Sequence, residues 1–372
     1  MPTLTIAGRK VGPGQPCWIV AELGANAARD YATAEALVRA AKEAGADSVK
    51  TQCFEWDTMT LQDDSPPFQL TWAGKETSLW QLYAETAMPL GWHKPLKDLA
   101  ESLGMVYFAS VFSPADADFM SWLDVPAYKI ASFEITDLPL IRAVAKKGKP
   151  ILLSTGMAEL MDVLEAINAA DEGMRDRIRL PENRGLAAPA PVVVLKCTSA
   201  YPAPASEANL RTIQDPRLRA HTAAGWRNEY TPYLHGLSDH TRSNAVVSAA
   251  VTLGACIVER HLTLDRSAGG PDAAFSDEPV EFAAMVRAIR EAEAALGTVH
   301  YGPTESELPM LRYRRSLWVV KDLAEWEVLT TENVRSLRPI GGLEPRHLPD
   351  VLGKRAKRAL VRGTALGWED LV

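Results

Sequence analysis

Two histidines at matching ends of apolar runs carry the clearest chemical signal in the chain. Gly236-Leu237-Ser238-Asp239-His240 is followed twenty-one residues later by Glu259-Arg260-His261. Apolar residues precede each histidine, Tyr233–Leu237 in one case and Ala255–Val258 in the other, and a helix-patterned segment lies between. If both runs are parallel strands joined by a crossover helix, both imidazoles emerge at one end of one sheet. Two neutral imidazoles so placed can hold one divalent metal ion while leaving positions for water and substrate. Taken singly, either histidine reads as an ordinary polar residue ending a strand; their equivalent placement in consecutive units gives the metal reading its weight.

The elements that must position them form a regular series. Short β-rich runs fall at Cys17–Glu22, Asp47–Cys53, Val106–Ser110, Tyr128–Ser132, Ile151–Ser154, Val192–Cys197, Leu234–Asp239 and Cys256–His261. Helical spacing fills Ala32–Ala44, Pro95–Leu103, Ala115–Leu123, Leu138–Lys147, Ala158–Ala170, Ser243–Leu253 and Val280–Leu296. Nearly continuous apolar strands separated by helices predict a parallel sheet covered by helices. Eight such units predict a closed α/β barrel of the (β/α)8 (TIM) type, with an open doubly wound sheet as the alternative.

In such a barrel, chemistry gathers at the C-terminal ends of the strands. The polar residues there are Glu22; Lys50 and Gln52; Ser110; Lys129, Ser132 and Glu134; Ser154 and Thr155; Lys196, Thr198 and Ser199; Ser238, Asp239 and His240; Glu259 and His261. Lysines and hydroxyls suit a phosphorylated or carboxylated anion, the histidines suit a metal, and the carboxylates suit proton transfer. Glu259 and Lys196 also fit internal salt bridges that only close the barrel. Between the second and third strands a long connection, Phe54 to about Met88, carries Trp56, Phe68, Trp72, Trp80 and Tyr83. It reads as a lid whose aromatic rings stack on a sugar, or as a surface contact burying the same rings.

The pattern changes after Leu296. A barrel over 1–297 is followed by a linker, 298–313, and a small β-rich region, 314–372. There Lys321–Val334 is echoed by Arg358–Leu371, an offset of thirty-seven residues that predicts internal pseudo-symmetry. With 372 residues, 47% hydrophobic and 23% charged, the chain has the composition of a globular protein, and its net charge of −7 argues against a nucleic-acid partner. No run approaches eighteen apolar residues and MPTLTIAGRKVG lacks a signal-peptide core, so the expected location is cytoplasmic. Cys17, Cys53, Cys197 and Cys256 sit in apolar runs without CxxC spacing and are expected to be free buried thiols.

The segments IVAELGAN, EAGADSVKTQ, YKIASFEITDLPLI, LLSTGM, LKCTSAYPAP, GLSDHT, ERHLTL and GGPDAAFS together resemble the sialic acid synthase family over nearly the whole chain. The tail, with RRSLWVVKD, ENVRSLRP and VLGKRAKR, resembles the antifreeze-like (SAF-type) domain that the family carries. Within the family, YKIASFEITD, LKCTSAYPAP and GGPDAAFS are most similar to pseudaminic acid synthases. The resemblance implies condensation of phosphoenolpyruvate with an amino-sugar aldehyde, a 2,4-diacetamido-2,4,6-trideoxy hexose, to give pseudaminic acid and phosphate; legionaminate or N-acetylneuraminate precursors are the alternatives. It implies that Lys50, Lys129, Ser132, Ser154 and Ser238 cradle phosphoenolpyruvate, that Ser199 stands where sialic acid synthases have asparagine, and that Gln52 and Ser110 join the substrate site. His240 and His261 would hold a divalent ion, Mn2+ foremost and Mg2+ or Co2+ otherwise; Glu22 and Glu134 would move protons or bind sugar hydroxyls. Tyr201 and Asp272 match positions that frame the sugar. Arg338 matches an arginine that reaches a neighbouring subunit's pocket, implying a domain-swapped homodimer.

This sequence departs from the family in places. Asn26 is followed by Ala27-Ala28-Arg29 where the family has Asn-His, Trp326 replaces a turn glycine, and Arg175–Pro191 and His221–Tyr233 are longer than usual. Two other classes of function remain: a Schiff-base aldolase or lyase using Lys129 or Lys196, and a carbohydrate-binding protein without catalysis.

Overall fold

Eight apolar runs close into one barrel. The computed structural model describes residues 3–28, 30–72, 74–180, 192–220 and 233–372. The barrel strands are β1 (Trp18–Glu22), β2 (Ser48–Cys53), β3 (Val106–Val111), β4 (Tyr128–Ile130), β5 (Ile151–Ser154), β6 (Val192–Cys197), β7 (Leu234–Asp239) and β8 (Ile257–His261). All neighbours pair in parallel and β8 returns to β1, with Glu259 opposite Val20 and His261 opposite Glu22. Every residue of β1, β7 and β8 is buried, as expected of strands covered on one face by helices and packed on the other inside the barrel.

The covering helices are α1 (Tyr31–Glu43), α2 (Leu90–Ser102), α3 (Pro114–Trp122), α4 (Leu138–Ala145), α5 (Leu160–Arg179), α6 (Pro216–Ala220), α7 (Asn244–Thr252) and α8 (Pro279–Leu296). Helix α1 starts where Asp30 accepts a hydrogen bond from the Thr33 amide at 2.8 Å, and it buries Ala34, Leu37, Val38 and Ala41 against the sheet. Helix α2 begins five residues before Pro95, which the sequence reading takes as its start; as the sixth helical residue Pro95 forgoes one bond, to the Gly91 carbonyl, and the helix continues past it. Helix α5 runs nine residues beyond the predicted Ala170, because Gly173 and Met174 continue its buried face. A Cβ at Gly173 would lie 2.3 Å from the Arg142 carbonyl oxygen, so this glycine permits close contact of α5 with α4. Of the two long segments noted above, 181–191 and 221–232 lie outside the described residues, as does Arg29.

Strand alternation assigns opposite tasks to neighbouring residues at the ends of β7 and β8. Ser238, His240, Glu259 and His261 line the barrel mouth, whereas Asp239 and Arg260 point the other way. The Arg260 guanidinium, 1% exposed, donates to Asp239 Oδ2 at 3.0 Å, Asp277 Oδ2 at 2.9 Å and the Ser243 carbonyl at 3.0 Å. One buried cation thereby joins β7, β8, the start of α7 and the loop after β8.

The long connection after β2 is not structureless. It holds a short helix, Trp56–Met59, an antiparallel hairpin of Gln69–Trp72 with Lys75–Ser78, and a helix at Leu79–Thr86 capped by Ser78. Serine at the cap and the 79, 82, 83, 86 spacing were the available helix signals.

The chain divides into two compact units, Met1–Gly297 and Thr298–Val372. The second has its own small core around Leu317, Val319, Leu329, Val351 and Leu366. Its sequence echo is realised as a pseudo-twofold. Leu323 and Leu360, thirty-seven residues apart, exchange backbone hydrogen bonds of 2.8 and 2.9 Å. The bridge Trp318–Ala365 has its symmetry mate in Val328–Arg355. Trp326 is the mate of Gly363, and both are left-handed, at φ +70° and +91°. Glycine tolerates that conformation, whereas tryptophan is strained by it. The four cysteines are buried and free, and no helix among the described residues is long and apolar enough to cross a membrane. Trp326→Gly is expected to stabilise the second unit by about 1 kcal/mol, read as a raised thermal midpoint of the full chain.

Candidate active site

The C-terminal mouth of the barrel encloses a cavity of about 500 Å3. Glu22, Lys50, Gln52, Ser110, Lys129, Ser132, Glu134, Ser154, Tyr201, Ser238, His240, Glu259, His261 and Asp272 all line it. Ser199 does not; it lines a smaller adjoining hollow with Lys196 and Thr198, and its hydroxyl lies 3.8 Å from Cys197 Sγ. Lys196 follows the same alternation as Arg260 and leaves the cavity face of β6 to Cys197. Arg338 belongs to the second unit.

Charge is concentrated at the floor. Glu22, Lys50 and Glu259 sit on three consecutive strands, β1, β2 and β8, and Lys50 is ion-paired to Glu22 and stands 3.7 Å from Glu259. Its ammonium also donates to Ser110 Oγ at 2.9 Å. Burial disfavours the Lys50 cation, but the two carboxylates outweigh that and raise its pKa. Burial likewise opposes ionisation of Glu259; Lys50, Lys129 and His261 overcome it and hold that carboxyl below the usual range. Ser238 Oγ donates to Glu259 at 3.1 Å.

Lys129 differs from Lys50. It is 2% exposed, donates to the Ile130 carbonyl at 3.0 Å, and has no carboxylate within 4.0 Å among the described residues. Burial lowers its pKa, with Glu259 offsetting only part of the effect. Several buried cavity atoms, Ser154 Oγ, Glu134 Oε2, Glu259 Oε2 and His261 Nδ1, accept or donate no hydrogen bond within the protein. Such atoms cost free energy unless a ligand meets them, so their gathering in one cavity marks a binding site.

The histidines stand with ring centroids 5.4 Å apart. His240 Nδ1 lies 2.9 Å from the Thr198 carbonyl, which can only accept, so this nitrogen carries the proton and Nε2 is left to ligate. His261 Nδ1 faces Asp272 Oδ2 at 3.5 Å. Glycine at position 24 makes room for this arrangement: at φ +45°, its Cβ would fall 2.3 Å from Asp272 Oδ2 and 3.3 Å from both Glu22 Oε1 and His261 Nδ1. Asp272 Oδ2 accepts from the Ala25 amide at 2.9 Å. Asn26 donates to the Leu262 carbonyl at 3.0 Å and to Ser276 Oγ at 2.9 Å, joining the loops after β1 and β8. Ala27, the next residue, is fully buried. Among the described residues no three His, Cys, Asp or Glu side chains converge tightly enough to chelate an ion. The imidazole pair could donate two ligands to an ion, with the other coordination positions left to water and substrate.

Glu134 lies on a 3-10 turn, Ser132–Glu134, directly after β4. Burial raises its pKa to about 7, with Lys129 opposing. Of the aromatics expected over the site, Trp72 and Tyr83 line the cavity, whereas Trp56, Phe68 and Trp80 do not. The sequence reading missed Cys197, Phe54, Phe112, Phe275 and the leucines 70, 79 and 82, all of which line it. Period-two alternation would have found Cys197 and Leu70, and helical spacing Leu79 and Leu82.

Residues 37–301 match the model of the NeuB family, and residues 314–372 match that of the SAF domain. The chain belongs to the NeuB family. It is 37% identical over 360 residues to a pseudaminic acid synthase of Helicobacter pylori, covering 96% of this chain and 98% of that protein. An N,N'-diacetyllegionaminic acid synthase of Legionella pneumophila is 33% identical over 362 residues, covering 97% and 96%. The crystal structure of spore coat polysaccharide biosynthesis protein SpsE from Bacillus subtilis superposes with a TM-score of 0.61 at 30% identity, covering 100% of this chain and 99% of that one.

Glu134 gives the site a measurable pH signature. The folded state keeps its proton to about pH 7, whereas an unfolded glutamate releases it near 4.5. Between those values the folded state binds more protons, so this group makes stability fall as pH rises. Glu134→Gln is expected to abolish that decline, which urea midpoints at about pH 5 and about pH 8 would register.

Proposed function

We propose that this protein condenses phosphoenolpyruvate with an amino-sugar aldehyde to give a nonulosonic acid and phosphate. The acceptor we favour is a 2,4-diacetamido-2,4,6-trideoxy hexose, giving pseudaminic acid. The observation that carries the reading is one cavity that joins two buried lysines and four serine hydroxyls with a pair of imidazoles. The relatives named pseudaminic acid synthase, at 35–37% identity, support the acceptor over the legionaminate precursor.

Phosphoenolpyruvate carries a carboxylate and a phosphate, and the floor offers matching cations. Lys129 lacks a carboxylate partner and meets the anion with a charge-assisted bond; Lys50, already neutralised by Glu22 and Glu259, orients it. Ser110, Ser132, Ser154 and Ser238 supply neutral donors. C3 of the enol phosphate attacks the aldehyde carbon, whose oxygen takes up a proton, and leaves an oxocarbenium at C2; water adds there with loss of a proton, and the tetrahedral intermediate releases phosphate by cleavage of its C2–O bond.

The residues present fit a divalent ion, given that His240 Nδ1 is taken by the Thr198 carbonyl and His261 Nδ1 faces Asp272, which leaves the Nε2 atoms of both cavity-lining imidazoles to ligate. His240 and His261 would hold it, Mn2+ by preference, and its chemistry would be polarisation of the sugar aldehyde. Asp272 orients His261. Glu134, held protonated to about pH 7, donates a proton to the developing sugar alkoxide, and Glu22, linked to Gln52 at 3.4 Å, is placed for the added water. The assembly proposed is a homodimer in which Arg338 serves the pocket of a second copy.

Lys129→Ala is expected to raise the phosphoenolpyruvate KM about tenfold or more, since losing a charge-assisted contact costs about 1.5–3 kcal/mol; initial rates against phosphoenolpyruvate check this. His240→Ala and His261→Ala are expected to lose metal-dependent turnover and to bind Mn2+ more weakly by calorimetry, with the thermal midpoint little changed. Full rate of either variant in chelator would refute the ligand assignment.

A further inference from the structure

The cavity is chemically divided, and the sequence of the insert after β2 accounts for the division. Charged and hydroxylated side chains of the strand ends form the floor. The facing wall is apolar. On the insert helix, Leu79, Leu82, Tyr83 and Thr86 recur at i, i+3, i+4 and i+7, and all four line the cavity. On the hairpin strand Gln69–Trp72, alternation turns Leu70 and Trp72 to the same side, and both line it too. The three leucines are only partly buried and lie outside the apolar core of the barrel. Their neighbour is the cavity itself, and an apolar surface left facing water is unfavourable unless something apolar covers it.

The wall is fixed in place rather than loosely draped. Trp72 Nε1 donates to the Pro271 carbonyl at 3.1 Å, next in sequence to Asp272, and its ring centroid lies 5.9 Å from that of Tyr201. Tyr83 packs edge-on against Phe54 at 5.9 Å. The insert is thus tied to the loop that carries Asp272 and to the end of β2.

We propose that Leu70, Leu79 and Leu82 form a specificity subsite for the non-reacting end of the acceptor sugar. The subsite selects sugars that carry a methyl or N-acyl group there over those that carry a hydroxyl. This rests on the synthase reading above. Phosphoenolpyruvate, with its carboxylate and phosphate, takes the floor; the aldehyde carbon meets its C3; the rest of the acceptor extends towards the insert. A hydroxyl against three leucines gives up water without gaining a partner, whereas a methyl group there buries apolar area.

The test compares two acceptors, the 2,4-diacetamido-2,4,6-trideoxy hexose and its 6-hydroxy counterpart, by phosphate release. The wild type is expected to favour the deoxy sugar by about tenfold or more in kcat/KM. Leu79→Gln and Leu82→Gln are expected to bring that preference to within about twofold, chiefly through the acceptor KM, with the phosphoenolpyruvate KM unchanged as the sign of an intact floor. Leu82→Met, which stays apolar, is expected to retain the preference. An active wild type whose acceptor ratio is the same in both Gln variants overturns the subsite alone. A wild type that releases phosphate with neither sugar overturns the synthase reading, and the subsite with it.

Discussion

The ion pairing of Lys50 with Glu22 and Glu259, at the bottom of the mouth, is the constraint on which the rest of the site depends. Two unit charges at 3.7 Å attract by about 4 kcal/mol at an effective dielectric constant of about 20. Removing each ion from water costs several kcal/mol, so the arrangement persists only because every member has partners on adjacent strands. Glu22 is in register with Lys50, and Ser238 with Glu259. The barrel's hydrogen-bond register therefore sets the electrostatics of the floor. With Lys50 balanced in this way, Lys129 is the cavity lysine left without a carboxylate partner, and the proposed function places the anion of phosphoenolpyruvate there.

A second constraint lies one residue away on each strand. Because side chains alternate, the residues adjoining His240 and His261 face away from the cavity, and there Asp239, Arg260 and Asp277 form a buried ionic clamp. The clamp fixes the two strand ends that present the imidazoles, while Asn26 and the bare backbone at Gly24 bring the loop after β1 against Asp272. Imidazole placement is therefore set from both sides: by charge behind the strands and by close packing in front of them.

The two additions to the barrel use different physics. The insert after β2 presents a helix face whose Tyr83 packs on Phe54 while its leucines 79 and 82 line the cavity and lie outside the barrel core. The C-terminal unit repeats one small motif about a pseudo-twofold, with Leu323 and Leu360 paired at its centre. Its departure from symmetry is Trp326, held in a backbone conformation that its mate Gly363 adopts without strain.

The sequence by itself determined the barrel and the polar set at its mouth. Continuous apolar strands with helices between them leave few ways to bury both faces of a sheet, and the C-terminal strand ends then follow. Glu22, Lys50, Lys129, His240 and His261 were legible on that ground, as was the echo in the tail. Tertiary structure alone decided which neighbours each charge has: that Lys50 is balanced and Lys129 is not, that burial raises the Glu134 pKa to about 7, and that Ser199 and Lys196 fall outside the main cavity. These outcomes depend on register between strands distant in sequence and on burial, neither of which periodicity within one segment can encode. The leucines of the insert stand between the two cases. The helical spacing of Leu79 and Leu82 was readable in the sequence, but only the folded chain places them, with Leu70 of the hairpin, against a cavity instead of a core.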